Sequence, residues 1–424
     1  MACGVGVIGA GTVGSGVIHT LLTNGDAILD QSGQTVRLRH VADLNLEPLK
    51  AFDLSGVTVS TDAKALIHDP DVSVVCELIG GVEPAKTFIL EALRAGKNVV
   101  TANKMLLALH ARELNEVAIE NGVDLRYEAA VAGTIPIIKA LREGLAANHI
   151  QAIYGIMNGT CNYILTRMSL EDLPFDAVLQ QAMAAGFAET PPDLDIEGHD
   201  TAHKCTILAS LAYSTPVKLD DLYVEGITGI TRQDVAYTQE MGYQVKLLAV
   251  IRKVDGEIEA RVNPTLVPED HLLAAVKYEF NAIYVESDIA DATLYYGRGA
   301  GKLPTASAVV ADVVDIARRD GAPAPVPFRY AHEWPVREMG LLCGQYYLRI
   351  VTEDKPGVLG TVCGILGEHG VSIASCTQKD EHGPSPVNVV LMTHETTEAQ
   401  VKAALAEIDA LAFITEPAHL IRVL

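Results

Sequence analysis

The stretch from Gly186 to Cys205 concentrates charged residues whose types and spacing could do chemistry. Its carboxylates are Glu189, Asp193, Asp195, Glu197 and Asp200. Pro191 and Pro192 exclude a helix from the first half. A helical pattern follows, in which Asp200 and Lys204 are four apart and therefore share one face. An acidic loop backed by one ammonium group suits a small zwitterion; a solvated acidic loop with an ordinary ion pair is the alternative.

A glycine-rich turn near the start of the chain is a second candidate site. A short apolar run leads into a G-x-G-x-x-G pattern formed by Gly9, Gly11 and Gly14, and a helical pattern follows. Glycines permit a tight turn and close approach of the backbone, and the helix N-terminus attracts a pyrophosphate. We therefore predict dinucleotide binding here, with a purely structural turn as the alternative.

Further strand patterns alternate with helical patterns through the first third of the chain. They are predicted at Val36–Ala42, Val57–Ser60, Val72–Ile79 and Asn98–Thr101. This alternation is typical of a doubly wound parallel sheet, in which ligands bind beyond the carboxyl ends of the strands. Gly80 follows one of these ends, and Asn103 and Lys104 follow the next, so we predict that they line the ligand site.

Asp43 bears on the choice of cofactor, since it ends the second predicted strand. A carboxylate at this point can accept hydrogen bonds from the adenosine ribose and repel a 2′-phosphate. Arg37 and Arg39 precede the strand end, and no arginine-rich segment follows it. The sequence therefore favours NAD over NADP.

Composition excludes several classes of protein. A formal charge of −22 over 424 residues argues against binding to nucleic acid and to anionic membranes. No apolar run approaches the roughly 20 residues of a membrane span. The seven cysteines are scattered without a C-x-x-C pattern, and no signal peptide is evident, so we expect a reducing, cytoplasmic location.

The middle of the chain predicts a mixed sheet covered by helices. Its strands are predicted at Ile150–Met157, Tyr243–Arg252, Glu257–Asn263, Ile283–Glu286 and Thr293–Tyr296. A glycine-rich loop ending at Gly301 leads into a helix that we expect to pack on the first domain, near the cofactor. Glu128 precedes an irregular segment, where the residues alone favour a capped turn over a site for a small cation.

Seven motifs in order carry a resemblance to homoserine dehydrogenases over essentially the whole chain. They are G-A-G-T-V-G at 9–14, E-L-I-G-G at 77–81, V-T-A-N-K at 100–104, Y-E-A-A-V-A-G-T-I-P-I-I at 127–138, G-I-M-N-G-T-C-N-Y-I-L at 155–165, the acidic stretch, and G-A-G-K-L-P-T-A-S-A-V-V-A-D at 299–312. The resemblance implies an NAD(P)-dependent oxidoreductase that interconverts L-homoserine and L-aspartate 4-semialdehyde in threonine and methionine biosynthesis.

The resemblance also implies roles for individual residues. Lys204 would exchange the proton at the reacting oxygen, with Asp200 beside it and Lys104 assisting from the nucleotide domain. Substrate binding is implied for Glu189, Asp195, Asp200 and Lys204, and further cofactor contacts for Thr12, Val13, Lys104, Gly186 and Gly301. A monovalent cation such as Na+ is implied at Glu128 and at the carbonyls of Val131, Gly133 and Ile135.

Some alternatives remain open at this point. Desolvation would lower the pKa of Lys204 whereas Asp200 would raise it, so the lysine could accept the proton or mainly polarise the oxygen. Pro191, Arg298 and Thr134 depart from the residues common in the family. His199 and His203 have the spacing of a helical zinc site, but a third ligand is not evident. The rival functions are a catalytically silent amino-acid sensor and a dehydrogenase of another semialdehyde.

The tail has the pattern β-α-β-β-α-β of a ferredoxin-like module and resembles an ACT domain, including the turn D-K-P-G-V-L. This implies feedback control, most plausibly by L-threonine with Gly357 and Asn388 as contacts, although the module could serve only to dimerise. We thus predict an NAD(P)-binding Rossmann domain at 1–135 completed by 305–320, a catalytic α/β domain with a mixed sheet at 136–320, a linker at 321–345 and an ACT domain at 346–424. A homodimer or homotetramer is expected.

Overall fold

The computed structural model of the protein describes residues 3–188, 190–319, 328–379 and 386–424. Its first domain is built on a six-stranded parallel sheet with the strand order β3-β2-β1-β4-β5-β6, which confirms the predicted Rossmann fold. The elements are β1 (Cys3–Ile8), α1 (Thr12–Thr23), α2 (Gly25–Ser32), β2 (Val36–Ala42), β3 (Thr58–Ser60), α3 (Ala63–Ile67), β4 (Val74–Glu77), α4 (Ala85–Arg94), β5 (Asn98–Thr101), α5 (Lys104–Asn121) and β6 (Leu125–Arg126).

The second domain is a mixed sheet with helices, as predicted. Its elements are α6 (Ile137–Lys139), β7 (Ile150–Ile156), α7 (Gly159–Glu171), α8 (Phe175–Ala184), α9 (Asp193–Ile196), α10 (His199–Tyr213), β8 (Tyr223–Val224), α11 (Arg232–Glu240), β9 (Tyr243–Val254), β10 (Glu257–Pro268), β11 (Phe280–Ser287), β12 (Asp291–Arg298) and α12 (Lys302–Ala317). Helix α12 returns to the first domain and packs against α1, where a Cβ on Gly16 would lie 2.5 Å from the carbonyl oxygen of Lys302.

The third domain is a ferredoxin-like module, also as predicted. It consists of β13 (Cys343–Gly344), β14 (Tyr346–Thr352), α13 (Val358–Glu368), β15 (Ile373–Gln378), β16 (Val387–Thr393), β17 (Thr396–Thr397), α14 (Glu398–Asp409) and β18 (Ile414–Val423). Short 3-10 or π-helical turns lie at Glu47–Ala51, Glu128–Ala130, Ala140–Gly144, Leu219–Asp221, Leu272–Ala275 and Met339–Leu341. Strand β18 pairs with β10, so the sheets of the second and third domains form one continuous sheet.

Alternation along the strands decides which side chains face which domain. Tyr346 and Leu348 pack under the helices of the third domain, whereas Tyr347, between them, packs on the second domain. The last strand, β18, begins at Ile414 and pairs along β14 as far as Arg422. Among the described residues, no helix has the length and apolar character needed to cross a membrane.

Candidate active site

The acidic stretch folds into a one-turn helix, α9, followed by α10, which carries Asp200 and Lys204 on its first turns. Both side chains are buried, with residual exposures of 2% for Asp200 and 7% for Lys204. Lys204 Nζ donates to Asp200 Oδ2 and to the Met157 carbonyl, both at 2.6 Å. The pair is therefore part of a buried hydrogen-bonded network. The alternative interpretation required a solvated ion pair, which this burial does not fit.

Asn158 joins the acidic residues of this network to the sheet. Its Nδ2 donates to Asp195 Oδ1 at 2.7 Å and to Asp200 Oδ2 at 2.9 Å. Its Oδ1 accepts the Cys161 N–H at 2.8 Å and so caps α7. Asn158 had no role assigned from sequence, although an asparagine at a helix N-cap was a visible signal.

Lys104 reaches the same carboxylate from the nucleotide domain. It is the first residue of α5, and its ammonium forms an ion pair with Asp200 Oδ1. Its side chain is 36% exposed, so the cleft between the two domains is open at this point. Asp200 is thus held by one lysine from each domain, which brings together the three predicted catalytic residues.

Glu77 supports the start of α5 and had no role assigned from sequence. The carboxylate is fully buried; it accepts the Thr101 hydroxyl at 2.7 Å and the Ile79 N–H at 2.9 Å. Thr101 Oγ1 in turn accepts the Asn103 N–H at 3.0 Å. Asn103 caps α5 through the Leu106 N–H, so this chain of hydrogen bonds fixes the backbone next to Lys104.

Burial and charge set the protonation of the network. Burial lowers the pKa of Lys204, although the carboxylate of Asp200 acts in the opposite direction. Burial would raise the pKa of Asp200, but the ammonium groups of Lys204 and Lys104 outweigh it and hold that pKa well below its ordinary value. Burial raises the pKa of Asp195, which the hydrogen bond from Asn158 opposes. The site thus combines an ionised carboxylate with a lysine that loses its proton more readily than usual.

The glycine-rich turn has the shape that a dinucleotide needs. A Cβ on Gly14 would lie 1.8 Å from the Gly9 carbonyl oxygen, so the turn closes only with glycine there. A Cβ on Gly11 would meet no atom within 4 Å, and Gly11 and Thr12 are exposed. The first turn of α1, which includes Val13, receives no side-chain cap, so its amides face this open space and fit a pyrophosphate.

Asp43 lies beside the turn and is tied to it. One carboxylate oxygen accepts the Ala10 N–H and the other accepts the Asn45 N–H at 2.7 Å. Arg37 pairs with Gly4 of β1, and Arg39 lies at the register shift opposite Val5 and Gly6. Both arginines therefore precede the carboxyl end of β2, beyond which a 2′-phosphate would lie.

The other predicted cofactor contacts lie in exposed turns. Gly80 follows β4 and Gly301 is the N-cap of α12, with φ angles of +73° and +127° that favour glycine. Gly186 ends the turn after α8, next to Phe187, whose ring stacks on Tyr163 at 4.5 Å and whose carbonyl accepts the Thr160 hydroxyl. Glu189 lies outside the described residues.

The segment predicted to hold a cation is buried against the Gly301 loop. The Glu128 carboxylate accepts the N–H groups of Ile138 and Lys139, both at 2.8 Å, and so caps α6 as the residues alone suggested. A Cβ on Gly133 would lie 2.5 Å from the Gly299 carbonyl oxygen. Val131 and Ile135 are also buried. Carboxylate and carbonyl oxygens are ligands that a small hard cation prefers, so the donor set fits one.

Two other features noted in the sequence have structural outcomes. His199 is exposed and His203 is buried, and the described residues contain no group of three His, Cys, Asp or Glu side chains placed to hold a metal. Arg298, which departs from the family pattern, pairs with Glu279 at 3.1 Å. It is not one of the hydrogen-bond partners of Lys204, which are Met157 and Asp200.

The two predicted effector residues do not face one another. Gly357 is the N-cap of α13, with φ +93° and no atom near its would-be Cβ. Asn388 is buried on β16, in alternation with Val389, which packs under the helices of the third domain. Its side chain therefore points to the opposite face of the sheet.

Comparison with known families finds three matches along the chain. Residues 9–128 match the family model described as "Homoserine dehydrogenase, NAD binding domain", and residues 136–314 match "Homoserine dehydrogenase". Residues 346–413 match "ACT domain". The matches follow the order of the three structural units.

Named relatives agree over the full length. The homoserine dehydrogenase of Neisseria gonorrhoeae is 43% identical, covering 99% of this chain and 98% of the relative, and that of Bacillus subtilis is 40% identical, covering 97% and 96%. A crystal structure of a homoserine dehydrogenase from Thiobacillus denitrificans superposes with a TM-score of 0.95 at 42% identity, covering 100% and 98%. A hyperthermophilic archaeal homoserine dehydrogenase in complex with NADPH superposes at 0.64 with 25% identity, covering 78% and 100%.

Proposed function

This chain belongs to the homoserine dehydrogenase family of NAD(P)-dependent oxidoreductases, and we propose that Lys204, Asp200 and Lys104 form its catalytic centre. The reaction is the interconversion of L-homoserine and L-aspartate 4-semialdehyde. The observation that carries this proposal is the buried carboxylate of Asp200, which pairs with a lysine from each domain at the cleft. Glu189 and Asp195 are proposed to bind the substrate's ammonium group with Asp200.

Lys204 is proposed to exchange the proton of the reacting oxygen. The bound nicotinamide supplies a hydride acceptor or donor. In the oxidation of homoserine, the hydroxyl proton needs an acceptor, and a neutral lysine amine can take it. Burial lowers the pKa of Lys204 and so favours this role over mere polarisation of the oxygen. In the reverse direction the same ammonium returns the proton to the alcohol oxygen.

Lys104 and Asp200 are proposed to position that lysine and the substrate. Asp200 fixes the Lys204 ammonium from within its own helix, and the Met157 carbonyl fixes it from β7. Lys104 links the nucleotide domain to the same carboxylate, so domain closure and the geometry of the proton exchange are coupled.

NAD is proposed as the preferred cofactor, bound at Gly9, Gly11, Thr12, Val13, Gly14, Gly80, Asn103, Lys104, Gly186 and Gly301. Asp43, together with the position of Arg37 and Arg39 before the carboxyl end of β2, supports this preference. A relative has been crystallised with NADPH, so both cofactors need to be compared directly. A monovalent cation is proposed to bind at Glu128, Val131, Gly133 and Ile135. Measuring the dehydrogenase activity with and without Na+ tests this cation site.

Biosynthesis of threonine and methionine in the cytoplasm is the proposed setting. We propose that L-threonine inhibits the enzyme through the ACT domain, with Gly357 and Asn388 as contacts. A homodimeric or homotetrameric assembly is also proposed. The predicted boundaries at 135, 320 and 345 are proposed as domain limits.

The deciding experiment follows nicotinamide absorbance with L-homoserine and either cofactor, with and without L-threonine. We expect turnover that is faster with NAD+ and slows when threonine is added. Absence of turnover with homoserine, but turnover with another amino alcohol, would contradict the substrate assignment. Binding of amino acids without any turnover would favour a sensor.

A further inference from the structure

A second cavity, of about 290 Å³, lies at the junction of the catalytic sheet and the ACT domain. Its charged and polar lining includes Tyr154, Arg252 and Arg261 from the catalytic sheet and Gln345, Glu395 and Arg422 from the ACT domain. Arg252 and Arg261 alternate along their strands with Ile251 and Val262, which pack in the core with α10. The cavity therefore opens on the face of the sheet opposite to Lys204.

Arg261 is buried and keeps one unused donor. Its side chain is 6% exposed. Nε donates to Glu259 Oε1 at 2.9 Å, and Nη1 donates to Asn263 Oδ1 at 2.5 Å. Within the described part of the chain, Nη2 has no hydrogen-bond partner, and this atom is not fully buried. Because Arg261 lines the cavity, this guanidinium has a donor available to a ligand there.

The neighbouring charges leave this side of the cavity positive. Arg252 donates through Nε and Nη2 to the same Glu259, at 3.0 and 2.7 Å, so two guanidinium groups share one carboxylate. Arg422 is already paired with Glu398 and Glu225. Burial lowers the pKa of Arg261, and the nearby Arg422 and Arg252 add to that effect. A bound carboxylate between Arg252 and Arg261 would relieve the imbalance.

The ACT part of the lining carries a negative group. Glu395 is exposed and lines the cavity. In the described ranges it forms no ion pair with an arginine. The cavity lining thus contains both guanidinium donors and a carboxylate.

We propose that this cavity binds a small zwitterionic α-amino acid. Its carboxylate would accept hydrogen bonds from Arg252 and Arg261, and its ammonium group would face Glu395. The cavity volume is close to the lower limit of the volumes that are typical of small-molecule pockets. A ligand here contacts the catalytic strands β9 and β10 and the ACT strand β18 at once, so its binding links the two domains.

This site is separate from the effector residues Gly357 and Asn388, and it does not rest on the proposed dehydrogenase activity because binding is measured directly. The test is titration calorimetry of the full-length protein with each common L-amino acid, and with acetate and inorganic phosphate as single-charge probes. We expect saturable binding of at least one amino acid and much weaker binding of acetate and phosphate.

Matched variants locate the ligand. Arg252→Gln and Arg261→Gln should each weaken the binding at least tenfold, which corresponds to about 1.4 kcal/mol. Arg337→Gln removes a similar guanidinium, paired with Glu257 in a neighbouring cavity, and should leave the affinity unchanged. If Arg261→Gln does not fold, Arg252→Gln and Glu395→Gln decide the question, because both of those side chains are solvent-accessible.

Three outcomes would overturn the proposal. The first is amino-acid binding that survives the substitutions at Arg252 and Arg261, because such binding would place the ligand in the active site or on the ACT domain. Loss of such binding in Asn388→Ala would assign it to the ACT domain. The others are binding of phosphate alone and the failure of every amino acid to bind.

Discussion

Asp200 at the proposed catalytic cleft and Asp234 at the ACT junction make an instructive comparison. Both are buried carboxylates on the first turn of a helix, and each pairs with a basic side chain from a neighbouring domain. Burial alone would raise both pKa values, but Lys204 and Lys104 for Asp200, and His419 and Arg349 for Asp234, hold them well below the ordinary range. The same electrostatic arrangement therefore occurs twice in the molecule.

The partners differ in a way that separates chemistry from docking. Arg349 donates to Asp234 through Nε at 2.6 Å and Nη2 at 3.1 Å, and the Tyr347 hydroxyl adds a third bond. An arginine fork fixes geometry and does not titrate, whereas the lysines at Asp200 can exchange protons. Asp234 is fully buried, whereas the cleft at Lys104 is open. We infer that lysine partners and access to ligand, and not the buried carboxylate itself, distinguish the proposed catalytic centre.

The strongest test removes the titratable partner at the cleft. Lys204→Met should lower kcat/KM for homoserine by about 10²–10⁴, the range for loss of a general acid–base group, with little change in cofactor affinity. Steady-state kinetics and cofactor titration measure the two effects. Lys218→Met, at an exposed lysine, is the control. Equal loss of turnover and cofactor binding would make Lys204 structural.

The matching test at the junction removes the charge but keeps the shape. Asp234→Asn leaves Arg349 buried without its carboxylate and should cost about 3–5 kcal/mol of unfolding free energy. Denaturant unfolding measures this cost, with the exposed Asp220→Asn as control. Because the pKa of Asp234 is depressed on folding, its contribution is complete above about pH 4 and lost as the pH falls further. The variant should therefore lose less stability on acidification than the wild type does.

A smaller effect tests the importance of the arginine fork. Arg349→Lys keeps the charge but loses one of two charge-assisted hydrogen bonds to Asp234, which should cost about 2 kcal/mol. Arg232→Lys is the control, since Arg232 pairs with Asp172 at the surface, where exchange should have little effect. Equal unfolding free energies for Arg349→Lys and wild type would show that charge alone docks the ACT domain.

The smallest effect is a displacement of the pH profile. The carboxylate of Asp200 raises the pKa of Lys204, so Asp200→Asn should lower that pKa further. The rising limb of kcat/KM against pH for homoserine oxidation should therefore move to lower pH. A limb that stays in place, or moves to higher pH, would mean that a group other than Lys204 accepts the proton.

Local sequence patterns predicted the architecture and part of the site. The glycine-rich turn, the strand alternation and the spacing of Asp200 and Lys204 each depend on neighbours along the chain, so they were visible without a fold. Asn158, Glu77 and the Met157 carbonyl were missed as members of the site because their partners lie far away in sequence. The junction of Asp234 with Arg349, which are 115 positions apart, left no local signal either.

The sequence by itself determined the three units, the cofactor turn and the residue types able to move a proton. Only the tertiary structure decided which carboxylates are buried, which cations meet them and which cleft stays open. The physical reason is that periodicity and turn chemistry are short-range properties, whereas desolvation and ion pairing depend on what packs across domains. Lys104 and Lys204 look alike in the sequence, but folding buries one of them and leaves the other partly exposed at the mouth of the cleft.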